Sequence, residues 1–245
     1  MSKSSHFHPL EFNPTTGEPF LALPAPYENI IITPPRLSDA PAIILSMSDP
    51  AIYTFLEGPP FPYLPEHADQ WLSRIKQETD AAIETLRRAN EEKPDEPPIF
   101  LEQSPVRIIR EVRDDGSDLF LGDIMFVRER YPDLDDKELK ETVLQRNAAR
   151  DLGDPEIVWC IGDFLASSHH GKGIMTAAIK TFIYEWAVPR MGVRQIRVET
   201  FSDNAGSRRV FEKLGFTYEK TVAIRKTLNS GRTIDGMDVL CWEAK

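Results

Sequence analysis

The chain has 245 residues, of which 41% are hydrophobic and 28% are charged, as is typical of a globular protein with one hydrophobic core. Its net charge of -10 argues against nucleic acid or a membrane surface as a partner, because both require a basic protein face. The opening residues do not resemble a signal peptide, and no apolar run approaches the roughly 20 residues of a membrane-spanning helix. With only 2 cysteines, far apart in sequence, we expect a cytoplasmic protein.

The beginning of the chain divides into two parts. Residues 1–27 are rich in proline and aperiodic, which predicts an arm that lies on the domain or is loose. Residues 28–245 carry strand and helix patterns, and we expect them to form one domain. A short strand from Asn29 to Thr33 is followed by a helix from about Ala40 to Met47, and Pro50 begins another helix.

The middle of the chain is predicted to hold a long helix, a hairpin and an insertion. The helix opens at Pro65, because the apolar residues after it follow the 3.6-residue helical period. Two strand patterns, Val106 to Val112 and Leu119 to Val127, flank an Asp-Asp-Gly-Ser turn. The charged stretch of about 128–154 has a thin apolar stripe, which predicts a surface helix inserted after this hairpin.

The last third alternates strands with helices. Strand patterns cover Glu156 to Leu165 and Gln195 to Thr200, and each is followed by a helix pattern, the first of which we expect to end at Pro189. Two further strands, Phe216 to Thr227 and Thr233 to Trp242, pair across a glycine-containing turn. The whole order predicts a mixed α/β fold, with a mixed sheet and helices on its faces.

The sharpest chemical signal is a strand-loop-helix junction that reads Ser168-His169-His170-Gly171-Lys172-Gly173-Ile174-Met175-Thr176. Its two glycines let the backbone approach a ligand, and the first free N–H groups of the helix point into the same space. This arrangement predicts a pyrophosphate cradle. It is not a Walker A loop, because Lys172 precedes Gly173 instead of Ser or Thr. Taken alone, a Gly-x-Gly at a helix start is equally compatible with a structural turn.

A second motif follows after one helix and one strand, and it reads Asp203-Asn204-Ala205-Gly206-Ser207-Arg208-Arg209-Val210-Phe211-Glu212-Lys213-Leu214-Gly215-Phe216. Together the two motifs resemble motifs A and B of the GNAT acyltransferases. The subfamily that fits resembles the bacterial ribosomal-protein N-acetyltransferases of the RimJ/RimL kind, whose pattern is matched by Gly162-Asp163-Phe164-Leu165, Gly171-Lys172-Gly173, Asn204, Ser207 and Glu212 to Phe216. The resemblance extends more weakly over Asn29 to Trp242, and the arm and the insertion have no counterpart in it.

The resemblance implies a GNAT fold in which two central strands lie side by side but splayed, with acetyl-CoA in the V between them. Backbone groups of Phe164, Leu165 and Ala166 would hold the pantetheine. The pyrophosphate would bind the loop and helix start, through the amides of His170, Gly171, Lys172, Gly173, Ile174 and Met175 and the hydroxyl of Thr176. Asn204 and Ser207 would lie beside the thioester, one turn apart on one helix face, with Phe211 against the cofactor.

These last three residues also have purely structural interpretations. Asn204 suits a helix start, Ser207 a tolerated surface position and Phe211 a core position; we favour function for the first two and core for Phe211. Many GNAT enzymes have Tyr at the position of Phe211 as the acid that protonates the departing thiolate. Because Phe has no proton to donate, Ser207 is the remaining nearby hydroxyl, and we predict that it takes this role with Asn204 beside it.

No obvious general base is present in the strand pattern. The position where the RimJ/RimL-like pattern often has Glu is Cys160, and a lone Cys in a strand is usually buried core. Glu156 has its side chain on the same face of the strand as Cys160, whereas Asp163 has its side chain on the opposite face. Both are candidates for the base.

The expected reaction is direct transfer of an acetyl group from acetyl-CoA to a primary amine in a ternary complex. Neutralising a lysine-like amine at pH 7 costs roughly 4.6 kcal/mol, but an α-amine costs only about 1 kcal/mol. A site without a strong base therefore favours a protein or peptide N-terminus, or a small amine of low pKa.

The same motifs are compatible with two other hypotheses. One is a catalytically inactive acyl-CoA-binding module of the same fold, and another is a nucleotide-binding regulator that uses the same loop. His169-His170 has no carboxylate or Cys at metal-ligand spacing, so we expect no metal. The protein is expected to be a monomer or a homodimer.

Overall fold

The computed structural model describes residues 5–244, within which nine strands form one sheet in the order β1-β2-β3-β4-β5-β6-β7-β9-β8. The strands are β1 Glu11–Phe12, β2 Pro19–Ala22, β3 Ile30–Thr33, β4 Ile108–Val112, β5 Asp118–Arg128, β6 Val158–Leu165, β7 Gln195–Phe201, β8 Thr217–Thr227 and β9 Thr233–Glu243. The helices are α1 Ala40–Met47, α2 Pro50–Tyr53, α3 Pro65–Glu92, α4 Lys137–Ala148, α5 Ile174–Thr181, α6 Val188–Met191 and α7 Ala205–Lys213.

The pairing of β6 with β7 is the feature that creates the site. These two strands are parallel, whereas every other neighbouring pair in the sheet is antiparallel. They pair only through Val158 with Gln195 and Trp159 with Ile196, and beyond these residues they diverge. The predicted splay of the two central strands is confirmed.

Helices cover both faces of the sheet. On one face, α5 buries Ala178 and Ile179 in the main core. Phe182, which directly follows α5, stacks on Phe126 of β5 at a ring-centroid distance of 4.7 Å. On the other face, α1 and α3 pack apolar side chains against Ile108 of β4. The mixed α/β fold class predicted above is confirmed. Among residues 5–244, no helix is both long enough and apolar enough to cross a membrane.

Residues 5–27 take part in the sheet. The pattern of the sequence does not predict β1 and β2, because stretches of two and four residues are too short to display alternation. Four apolar side chains of this segment are buried in the main core, namely Phe7, Leu10, Leu21 and Leu23. The segment is therefore packed against the domain, and it leads directly into β3.

Two predicted elements differ in extent from the observed ones. The predicted surface helix of about 128–154 is confined to α4, because β5 continues to Arg128 and the Asp136 side chain caps a later helix start. The helix after the glycine loop does not end at Pro189. It passes through a π-helical turn, Phe182–Ala187, into α6, and the proline lies in the first turn of α6. Because a proline inside a helix lacks the N–H for a regular bond, the irregular π-helical turn stands directly before it.

Candidate active site

The gap between β6 and β7 opens into a cavity of about 870 Å³. Its volume is that of a site for a sizeable small molecule. Most of the residues that the resemblance assigns to the cofactor line it, namely Phe164, Leu165, His170, Gly171, Gly173, Ile174, Met175, Thr176, Asn204, Ser207 and Phe211. The fold thus brings two motifs that are separate in sequence to one cleft.

The glycine loop has the backbone conformation that its sequence predicts. Gly171 and Gly173 have φ values of 72° and 81°, in the left-handed region that side chains disfavour. Gly173 is the N-cap of α5, and no side chain caps this helix. The first amides of α5 therefore lack a capping partner at the cavity wall, as an anion-binding helix start requires.

Some of the backbone amides that were predicted to bind the cofactor already donate hydrogen bonds to other groups of the protein. The amide of His170 donates to the Ser167 carbonyl at 3.1 Å. The amide of Ala166 donates to the Leu121 carbonyl at 2.6 Å, and its carbonyl accepts from the amide of His169 at 2.8 Å. Ala166 does not line the cavity. The edge of β6 that is open toward the cavity lies at Phe164 and the residues before it.

Lys172 also lies off the cavity wall. Its carbonyl accepts a hydrogen bond from the Tyr27 hydroxyl at 2.8 Å, from the segment that precedes β3. The amides on either side of Lys172 belong to residues that do line the cavity. This position thus connects the glycine loop with the N-terminal segment.

The residues at the start of α7 both cap the helix and line the cavity. The Asn204 side-chain oxygen accepts from the Ser207 amide at 3.1 Å, which is the helix-start role considered above. The Ser207 hydroxyl is half-buried at the cavity, and it bonds to no protein group in the part of the chain that the structure describes. Phe211 is 2% exposed and packs edge-on against Phe216, with ring centroids 5.1 Å apart. One side of this core residue also reaches the cavity.

A cluster of acidic side chains, absent from the sequence predictions, lies where the two strands diverge. Side-chain ligand atoms of Glu129, Cys160 and Glu199 all lie within 4.8 Å of one another. Glu199 lines the cavity from β7, while Glu129 is 1% exposed. One Glu129 oxygen accepts from the Tyr131 amide, and the other has no partner among the described residues.

An arginine holds this cluster in place. Arg197 Nη1 donates to Glu199 at 2.6 Å, and the same guanidinium makes two bonds of 2.7 Å to Asp133. Burial opposes ionisation of Asp133, but the hydrogen bonds from Arg197 and Lys220 lower its pKa to about 2. The negative charge of Asp133 thus balances the positive charge of Arg197, and the hydrogen bond from Arg197 to Glu199 orients the Glu199 carboxyl group.

The pKa values of all three side chains in the cluster are raised, so their protonated forms are favoured. Burial, and next the Glu129 carboxylate, raise the pKa of Glu199 to about 8. Burial also raises the pKa of Glu129, and burial with the two neighbouring carboxylates raises that of the Cys160 thiol. A carboxyl group whose pKa is raised to about 8 can take up and release a proton near neutral pH, which suits proton transfer.

The two candidates for the base that were considered from the sequence occupy different places. Glu156 precedes β6, its side chain is 65% exposed, and it forms an ion pair with Arg150 at 2.5 Å away from the cavity lining. The structure does not bring it to the site. Asp163 lines the cavity, and burial, with a contribution from Asp123, raises its pKa to about 7. The sequence of β7 could have pointed to Glu199, because this central strand alternates buried apolar residues with Arg197 and Glu199.

Sequence comparisons agree with the motifs. The family model described as the acetyltransferase (GNAT) domain matches residues 29–217. A probable N-acetyltransferase of Bacillus subtilis (strain 168), YjcK, is 41% identical over 59 residues. That match covers 24% of this chain and 32% of YjcK, so it spans about a third of the relative's length.

Solved structures share the fold at low sequence identity. The microcin C7 self-immunity acetyltransferase MccE, in complex with acetyl-CoA and AMP, superimposes with a TM-score of 0.56 at 15% identity over 89% of this chain and 93% of its own. The ribosomal-protein-S5-alanine acetyltransferase from Vibrio fischeri gives a TM-score of 0.54 at 16% identity, covering 89% and 94%. RimL, a ribosomal L7/L12 alpha-N-protein acetyltransferase in complex with coenzyme A, gives 0.53 at 13% identity, covering 91% and 97%.

Proposed function

The chain belongs to the acetyltransferase (GNAT) family, and from this premise we propose that it transfers the acetyl group of acetyl-CoA to a primary amine. The observation that carries the proposal is the uncapped, glycine-initiated start of α5, which faces the cavity between the splayed strands. The acceptor that suits the site is a protein or peptide N-terminus, or a small amine of low pKa. A structural relative in complex with acetyl-CoA supports the choice of cofactor. A relative named as a ribosomal alpha-N-protein acetyltransferase supports the choice of acceptor.

The residues present fit acetyl-CoA. Gly173 and the first turn of α5 offer amides to the pyrophosphate, and the unpaired edge of β6 near Phe164 offers backbone groups to the pantetheine. Asn204 and Ser207 lie on the cavity wall where the second motif begins. Bound acetyl-CoA supplies the activated acetyl thioester, and the protein supplies binding, orientation and proton transfer.

We assign the proton acceptor to Glu199. Its carboxyl group lies at the cavity between the strands, Arg197 orients it, and its pKa of about 8 is close to the working range of a general base. Transfer of a proton from an α-ammonium group, pKa about 7.8, to this carboxylate is nearly isoenergetic. The same transfer from a lysine-like ammonium, pKa about 10.4, costs about 3 kcal/mol. The α-amine preference therefore holds with this base in place.

The proposed function is tested with acetyl-CoA and a panel of acceptors. We expect CoA release with peptides that have a free α-amine, and none with the same peptides N-acetylated. We also expect acetyl-CoA to raise Tm. A Tm shift without CoA release on any amine would instead identify an inactive acyl-CoA-binding module. A shift with ATP or NAD and not with CoA would identify a nucleotide-binding regulator.

The glycine cradle is tested by adding one methyl group. A Cβ on Gly173 would lie 2.5 Å from the Tyr27 hydroxyl, so we expect Gly173→Ala to displace the loop and to weaken CoA binding by about tenfold or more, equivalent to about 1.4 kcal/mol. Gly116→Ala is the control, because Gly116 has the same φ of 81° in a hairpin turn with nothing within 4 Å. Both variants carry the left-handed strain of about 1–2 kcal/mol. Equal CoA affinities, measured by calorimetry, would contradict the cradle.

A further inference from the structure

Tyr27 connects the N-terminal segment with the glycine loop. Its amide donates to the Pro24 carbonyl at 3.0 Å and its carbonyl accepts from the Ile30 amide at 2.8 Å, which fix its backbone just before β3. Its ring packs against the main core. Its hydroxyl donates to the Lys172 carbonyl at 2.8 Å, across 145 residues of sequence. A rigid element thus reaches the loop from outside the cavity.

The hydrogen bond acts on a peptide whose other side faces the cavity. The Lys172 carbonyl and the Gly173 N–H belong to one trans peptide, in which these two groups point in opposite directions. Because the carbonyl is directed toward Tyr27, the Gly173 N–H is directed away from it. Within residues 5–244 this N–H has no acceptor, and Gly173 lines the cavity.

Without such a bond, the loop has little to hold this peptide. Gly173 has no Cβ, so rotation of the peptide about its neighbouring bonds meets little steric resistance. A flipped peptide would turn the Lys172 carbonyl oxygen into the cavity, where it would repel a phosphate. The close approach of Tyr27 to Gly173 also explains why a side chain is excluded at this position.

We propose that Tyr27 is a positioning residue, which holds the peptide between Lys172 and Gly173 so that the Gly173 N–H binds the pyrophosphate of acetyl-CoA. The inference rests on the proposed function, because it requires that this loop binds the cofactor. It gives a cofactor-binding role to a residue outside the stretch that the family model matches.

The test is Tyr27→Phe, which keeps the ring and removes the hydroxyl. We expect the Kd for CoA to rise about fivefold, the usual effect of losing one neutral hydrogen bond. The KM for acetyl-pantetheine, which lacks the pyrophosphate, should stay at the wild-type value, whereas a loss of structure would raise both. Tyr184→Phe is the control, because Tyr184 is 50% exposed and lies outside the cavity lining.

Each result separates the alternatives. Wild-type CoA affinity in Tyr27→Phe, with normal binding by the unmodified protein, overturns the inference and leaves the proposed function standing. Equal losses with acetyl-CoA and acetyl-pantetheine also overturn it, because they indicate a structural role. If the unmodified protein binds neither CoA nor acetyl-pantetheine, the proposed function itself fails.

Discussion

Replacing Glu199 with Gln is expected to lower kcat/KM for the acceptor amine by about 100-fold or more, because the amide cannot accept the proton of the attacking group. Gln has nearly the same shape, and its oxygen can keep the hydrogen bond from Arg197 that holds Glu199 at 2.6 Å. The fold and the CoA-induced rise in Tm should therefore be retained. Steady-state rates at saturating acetyl-CoA, with a peptide from the acceptor panel, measure the effect.

The pH dependence of the rate tests the assignment of Glu199 as the base, whatever the size of the rate loss in Glu199→Gln. Burial and Glu129 raise the pKa of Glu199 to about 8, so the active carboxylate is scarce below that pH and abundant above it. With an acceptor whose own pKa lies well below 7, kcat/KM should rise about tenfold per pH unit and level off above about 8. In Glu199→Gln this rising limb should be absent.

Asp163→Asn is the matched comparison for Glu199→Gln. Asp163 lines the same cavity, and its burial raises its pKa to about 7, so it is the alternative proton acceptor. We expect this variant to keep the limb near pH 8 that belongs to Glu199. If Asp163→Asn removes the limb and Glu199→Gln does not, the base is Asp163 and the assignment to Glu199 is wrong.

The parts of the site that were predictable from sequence are those that depend on local conformation. Positive φ at Gly171 and Gly173, and a cap at Asn204, follow from residue types within a few positions of one another. The splay of β6 and β7 was expected from the resemblance alone. No pattern within either strand indicates where their hydrogen bonds stop.

The remaining features depend on contacts between distant segments. Glu199 acquires its raised pKa from burial and from Glu129, which lies at the end of another strand. Tyr27 contacts the loop through a hydrogen bond to Lys172, which is 145 residues away in sequence. At Ala166, by contrast, a long-range contact takes a predicted function away. Its amide, which the local motif suggested for the pantetheine, donates instead to the Leu121 carbonyl. Hydrogen-bond partners of this kind are fixed by tertiary structure.

Replacing Ser207 with Ala is expected to lower kcat by about 100-fold, with little change in acetyl-CoA affinity. The Ser207 hydroxyl lies at the cavity without a protein partner among the described residues, and it is free to donate to the departing sulfur. That interaction strengthens in the transition state, so its loss appears in kcat. The Asn204 cap accepts from the backbone amide of residue 207, which Ala retains, so the helix start should be unchanged.

Two further variants determine whether the effect belongs to the hydroxyl. Ser73→Ala, on the exposed face of α3, is the control for a helical serine and should leave kcat unchanged. Adding Phe211→Tyr to Ser207→Ala should recover part of the loss, because one side of Phe211 reaches the cavity and a phenol there can donate the proton. Nearly full kcat in Ser207→Ala would show that Ser207 is not the acid. Recovery by the tyrosine would show that a donor is needed on this face of α7, because Tyr restores the proton without restoring the serine.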